Sequence, residues 1–165
     1  VSRKRPLFSG QHGPITQVAD YYNKSSAALE LYFADPSPFV GYTKAAIYQE
    51  LRKAKATLDR MCALELLTAL EAWFRMDHIT RAQAKLKDPL SRTFRAIYDQ
   101  KNRKASLEND IIKAWKQHHP EHKPKLDSLQ RVLGFRHWLA HGRYWDYLLL
   151  KYDYRSIDTR LRHLR

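Results

Sequence analysis

The chain is poor in the residues that would staple, break or embed it. One cysteine, Cys62, stands in 165 residues, which excludes an internal disulfide framework and any zinc site built from several thiolates, and suits a reducing compartment. Only five glycines occur. Without a glycine-rich phosphate loop or a serine-nucleophile motif, phosphate-loop nucleotide enzymes and dinucleotide-binding dehydrogenases are excluded at the level of motif. No apolar run approaches the roughly 20 residues of a membrane span, so no membrane partner is expected. The opening Val1-Ser2-Arg3-Lys4-Arg5-Pro6 lacks the apolar centre of a secretory signal. With the lone thiol, this leads to the expectation of a cytoplasmic protein.

Acidic residues are scarce as well: 17 Asp and Glu face 30 Lys and Arg, a net charge of +13. An excess of that size favours a polyanionic partner, and nucleic acid is the commonest. An acidic membrane surface, an acidic protein, or an ordinary basic surface are the alternatives that charge alone leaves open.

What is abundant is apolar spacing of three and four residues, the mark of an all-α protein. Residues 1–13 are basic, carry Pro6, Gly10 and Gly13, and read as a flexible arm; residues 14–165 read as a single helical-bundle domain. A first helix is expected over 15–33, with Val18, Tyr22, Leu29 and Phe33 inward, broken by Asp35-Pro36-Ser37-Pro38. Thr43 caps an unusually long helix reaching to about Leu86, with Ile47, Leu51, Ala54, Leu58, Cys62, Leu66, Leu70, Trp73 and Phe74 as its apolar stripe. Glu65 and Glu71 fall on or beside that stripe. An acid facing a core needs a cation, so either one is placed to orient an arginine from another helix; the plainer alternative pairs Glu71 with Arg75 one turn on. Helices are also expected over 90–100, 107–118 and 125–141, and a last one over 154–164. His118-His119-Pro120-Glu121-His122 offers metal-ligand residue types, but in a proline-broken, lysine-rich loop that reads as solvated.

Towards the end of the fifth helix the chain runs Phe135-Arg136-His137-Trp138-Leu139-Ala140-His141-Gly142-Arg143-Tyr144-Trp145. RNA strand cleavage needs a base for the 2′-hydroxyl proton, a cation for the charge developing on phosphorus, and an acid for the leaving 5′-oxygen. Histidine moves protons near neutral pH, and arginine matches phosphate oxygens with a fixed planar charge. His141 and Arg136 supply these parts without a metal or other cofactor. Arg143 is suited to hold a phosphate, while Tyr144 and Trp145 are suited to stack on bases. His137 and His141, four apart, share a helix face, and a metal on that pair is the alternative, with no cysteine nearby to support it.

Arg136, four intervening residues and His141, near the end of an all-helical chain, resemble the Arg-x4-6-His signature of the HEPN superfamily, and His137 fits the polar residue that often follows the arginine. The resemblance implies an all-α, HEPN-like helical bundle with one unusually long helix and a metal-independent endoribonuclease leaving 2′,3′-cyclic phosphate ends. It also implies a homodimer with a composite active site, in a toxin–antitoxin or defence setting, with an antitoxin or defence-system protein as partner beside RNA. His141 would be the general acid/base, Arg136 the transition-state cation, His137 its polar neighbour and Glu71 the orienting acid. One position departs from the pattern: where antitoxin-modified members carry tyrosine two residues past the histidine, this chain has Arg143. Dimerisation has a mechanical reason too. On a straight helix residues five apart differ by about 140° around the axis, so Arg136 and His141 converge only if the helix deforms or a second copy completes the site. A non-catalytic helical module that binds nucleic acid or protein is the competing expectation.

Overall fold

The computed structural model describes residue 8, residues 14–140 and residues 154–162, the last three by their backbone alone. Among these residues all regular structure is helical and no strand occurs. The expected arm, 1–13, lies outside the described residues apart from Phe8. Six α-helices are described, in order: α1 (Ile15–Ala34), α2 (Lys44–Ala84), α3 (Pro89–Lys101), α4 (Lys113–His118), α5 (Lys123–Ala140) and α6 (Tyr154–Arg162). No described helix is long and apolar enough to cross a membrane.

The boundaries have local causes. Thr43 accepts from the amide of Ala46 at 3.2 Å and so caps α2, as its side chain suggests. α2 stops two residues before the expected Leu86 because Lys85 turns to φ 53°, the left-handed conformation that commonly ends a helix and that glycine adopts most easily. Asp88 caps α3, accepting from the Ser91 amide at 3.0 Å, and Pro89 occupies the first turn, where its missing N–H costs nothing. Before α4 the segment Leu107–Ile112 is π-helical. Ser106 caps it by accepting from the Asn109 amide at 3.2 Å, and its own amide donates to the Asp110 carboxylate at 2.7 Å. The Ser106 carbonyl accepts from the amides of both Asp110 and Ile111, each at 3.1 Å.

The residues sort into two compact units. One comprises 14–67 with 135–140 and 154–162. Its core takes Val18 and Tyr22 from α1, Leu58, Cys62, Ala63, Leu66 and Leu67 from α2, Phe135 from α5, and Tyr154 and Ile157 from α6. Tyr22 ties these helices together. Its hydroxyl donates to Asp59 at 2.8 Å and its ring stacks on Tyr154 with centroids 4.0 Å apart. Burial, and then the neighbouring Asp59, push the Tyr22 phenol above its ordinary range. Leu29 and Phe33, expected inward, are only half-buried. Burial raises the Cys62 thiol as well, with Asp59 and Glu65 adding to the effect, so it stays protonated and unreactive at neutral pH.

The other unit comprises 68–134. Its core is built from Leu70, Phe74 and Ala82 of α2, Leu90 and Phe94 of α3, the π-helical Leu107, Ile111 and Ile112, and Leu126, Leu129, Val132 and Leu133 of α5. Along α2, Leu58, Cys62, Leu66, Leu70, Phe74, His78 and Ala82 recur at four-residue intervals, and all are buried. Each such step turns about 40° round the axis, so the buried stripe winds across the helix. An imidazole thus occupies a position where the pattern calls for an apolar side chain.

Candidate functional site

The last described turn of α5 places two of the expected site residues. Leu126, Leu129, Val132, Leu133 and Phe135 are buried, which fixes the rotation of the helix. That rotation leaves Arg136 half-buried and His137 exposed. Phe135 stacks on Trp138, centroids 5.4 Å apart, and gives the motif an apolar neighbour. His141, Arg143, Tyr144 and Trp145 lie outside the described residues, as do Gly142 and the aromatic patch 145–152.

The acids expected to orient an arginine separate clearly. Glu65 is exposed and so is not a core acid. Glu71 is partly buried and accepts from Arg75 Nε at 2.9 Å, one turn along α2. Arg75 passes on to the Ala105 carbonyl at 3.1 Å, so the Glu71–Arg75 pair tethers α2 to the segment that leads into the π-helical turn. That is the plainer of the two roles the sequence offers for Glu71.

A second assembly, in the unit formed by 68–134, was not expected from the sequence as a site. Trp73 and Trp115 lie 6.5 Å apart with ring planes inclined by 29°; Trp115 and His119 lie at 4.9 Å and 36°, and His119 and His122 at 6.0 Å and 27°. Four rings therefore form a staggered ladder. The buried Phe74 ring lies edge-on to Trp73 at 4.9 Å and to Trp115 at 6.4 Å, giving the ladder a floor. Arg81 holds its guanidinium carbon 5.5 Å from the Trp115 centroid, a cation–π distance. The same guanidinium donates to Asp77 at 2.8 Å and reaches Asp88 at 3.6 Å, so its plane is fixed by carboxylates from α2 and from the α3 cap.

The histidines of 118–122 have partners of their own. His118 Nε2 bonds Thr93 Oγ1 at 2.8 Å, His119 Nδ1 bonds Glu121 at 3.1 Å, and His122 Nε2 lies 3.7 Å from the same carboxylate. The Glu121 carboxyl is held below its usual range by its own backbone amide, against the opposing effect of burial, with His119 and His122 adding to the lowering. Lys116 is held by Asp127 and Gln130. Among the described residues no group of three or more His, Cys, Asp or Glu is arranged to hold a metal ion.

His78, the imidazole of the α2 stripe, is 2% exposed. Its ring meets Phe94 edge-on at 5.0 Å and lies 6.0 Å from Tyr98. Burial lowers its pKa; a hydrogen bond with the Phe94 backbone and the charges of Asp110 and Asp77 oppose the shift, and Arg75 adds to it. Nε2 has no hydrogen-bond partner among the described residues. The sequence signal for the ladder was partial: Trp115 and His119 stand four apart, with His119 just past the end of α4. The approach of Trp73 and the His118–Thr93 bond are long-range and left no periodic trace.

No protein-family model matches the chain, and no curated protein or solved structure gives a match.

Proposed function

We propose that the protein is an RNA-binding helical protein that cleaves RNA without a metal, through the HEPN-like motif of Arg136 and His141. The observation that supports this reading best is the presentation of the motif's first half. In a chain of net charge +13, the final turn of α5 leaves Arg136 half-buried beside a Phe135–Trp138 anchor and exposes His137. A guanidinium partly removed from water acts more strongly on a phosphate than one in bulk solvent.

In this scheme a histidine takes the proton of the 2′-hydroxyl as its oxygen attacks phosphorus. Arg136 meets the charge gathering on the phosphoryl oxygens, and the bond from phosphorus to the 5′-oxygen breaks as that oxygen receives a proton. The products are a 2′,3′-cyclic phosphate and a 5′-hydroxyl. Two proton-transfer groups are needed, and a homodimer supplies His141 twice, with His137 as the polar neighbour of each arginine. Arg143, Tyr144 and Trp145 come after the motif as phosphate- and base-holding residues. A cytoplasmic toxin or defence nuclease, silenced by a partner protein, is the setting that fits such chemistry.

A second reading, a non-catalytic module that binds nucleic acid or protein, is favoured by one observation. Glu71 has a structural partner in Arg75, which gives it a role in the scaffold without catalysis. One assay separates the two: a mixed RNA pool is incubated in chelator with wild type, His141→Ala and the double variant Arg136→Ala/His141→Ala, and the product ends are identified. Cyclic-phosphate ends from wild type alone are expected. Cleavage only on addition of divalent metal, or undiminished cleavage by His141→Ala, would sink the catalytic reading.

A further inference from the structure

We infer that the ring ladder of Trp73, Trp115, His119 and His122 is a binding surface for unpaired bases of single-stranded nucleic acid. The inference goes beyond the cleavage chemistry and does not depend on it, because the ladder lies wholly in the unit 68–134 and uses none of the motif residues.

The first reason is that three of the four rings, those of Trp73, His119 and His122, are open to solvent, with Trp115 the more enclosed. An aromatic cluster that served only as core would be shut away from water, as the Phe74 ring beneath the ladder is at 4% exposure. Trp73 instead leaves 49% of its surface to solvent, and the side chains of His119 and His122 leave 37% and 48%. Successive planes incline by less than 40°, so the rings brace one another in one series, and the surface a base can reach is the part that Trp73, His119 and His122 leave to solvent. Proteins that bind single strands use such series because every base has a π-face. A base pair in a duplex keeps its faces occupied by neighbours, so the ladder selects for unpaired strands.

The second reason is charge. Residues 68–134 carry 14 Lys and Arg against 8 Asp and Glu, counted directly from the sequence. Arg81 sits over Trp115 but is engaged by Asp77 and Asp88, and Lys116 is engaged by Asp127 and Gln130, whereas Lys123, one residue past His122, stands exposed beside the rings. Lys123 and the excess of cations in this unit favour a phosphate backbone running beside the rings. Glu121, the acid that bonds the ladder, has its carboxylate engaged by His119 and His122. An acidic peptide would find the same cations but would have no use for the ring faces.

The experiment separates faces from charge. The probe is a fluorescein-labelled 2′-O-methyl oligoadenylate of about a dozen nucleotides, within the range of known single-strand sites. It lacks the 2′-hydroxyl nucleophile and is not cut by the chemistry proposed above, so binding is read whether or not the protein is a nuclease. Polarisation gives Kd for this strand, for the strand annealed to its complement, and for an abasic strand with the same number of phosphates. The base-bearing single strand is expected to bind best and to quench tryptophan fluorescence. Trp73→Ala, at an exposed position, should weaken it about five-fold or more. Trp73→Phe, which keeps a ring face, should recover most of the affinity, and His119→Ala/His122→Ala should weaken binding by a similar factor. Equal affinity for the abasic strand or the duplex would overturn the inference. So would unchanged binding by Trp73→Ala and by the double histidine variant, or capture of an acidic peptide as tightly as of the single strand.

Discussion

Replacing His78 should flatten the stability of this protein between pH 7 and pH 5. His78 is 2% exposed and packed against Phe94 and Tyr98, and burial lowers its pKa from the ordinary 6.5. As the pH falls below 6.5, the unfolded chain takes up a proton there and the folded chain does not, so stability rises with pH through this window and is lost on acidification. The limiting slope for one such group is about 1.4 kcal/mol per pH unit. Between pH 6.5 and pH 5 the loss is therefore at most about 1.7 kcal/mol, and smaller if the folded state begins to take the proton. Asp110 and Asp77 pull towards protonation and Arg75 pushes against it, so all three shape the lower end of the window. The carboxylates whose pKa values are lowered, Asp110 through Lys101 foremost, lose their contribution only as the pH falls below the usual carboxylate range, a separate region. Urea unfolding of wild type, His78→Phe and His78→Gln at half-unit steps of pH is the assay. Both variants should be less stable at pH 7, His78→Phe by losing the bond with the Phe94 backbone and His78→Gln by losing the ring packed against Phe94, yet their stability should fall less steeply than that of wild type. Parallel curves for all three proteins would refute the reasoning.

Two further changes test the scaffold. Lys85→Gly should raise stability by about 1 kcal/mol, because Lys85 sits at φ 53° where a side chain is strained and glycine is not; a lower urea midpoint would contradict this. Tyr22→Phe should cost about 1 kcal/mol by removing the hydroxyl that donates to Asp59 at 2.8 Å, with the stack on Tyr154 kept; near-ultraviolet dichroism would report whether the ring packing survives.

Much of the architecture could be read from the chain because it rests on periodicity and caps. Thr43, Pro89 and the proline-rich break after α1 act within a few residues, so their effect is local and visible. Winding of the α2 stripe was harder to see. His78 stands on the four-residue series that begins at Leu58, but an imidazole breaks an apolar pattern by eye, and only the packing of Phe94 and Tyr98 around it reveals its burial. Glu65 looked inward by spacing alone, whereas the winding of the stripe leaves it exposed. The candidate motif was legible as composition, Arg136 and His137 falling on the last described turn of α5. Trp73 and His122 are 49 positions apart and join one ladder only because the Trp73 ring of α2 meets the Trp115 ring of α4. Spacing carries no record of such an encounter.

The π-helical turn before α4 bears on how the length of this chain can change. An ordinary helix punishes the loss of one residue by swinging everything on one side through about 100°. Here Leu107–Ile112 already carries one residue more per turn than an α-helix needs, and the Ser106 carbonyl already accepts from the α-like Asp110 amide as well as from Ile111. A deletion at the exposed Glu108 would let the turn close as α, leaving Trp115 and His119 in the register that stacks them. The turn is a slack link, a place inside a helix where the loss of one residue can be absorbed without disturbing the rings beyond it.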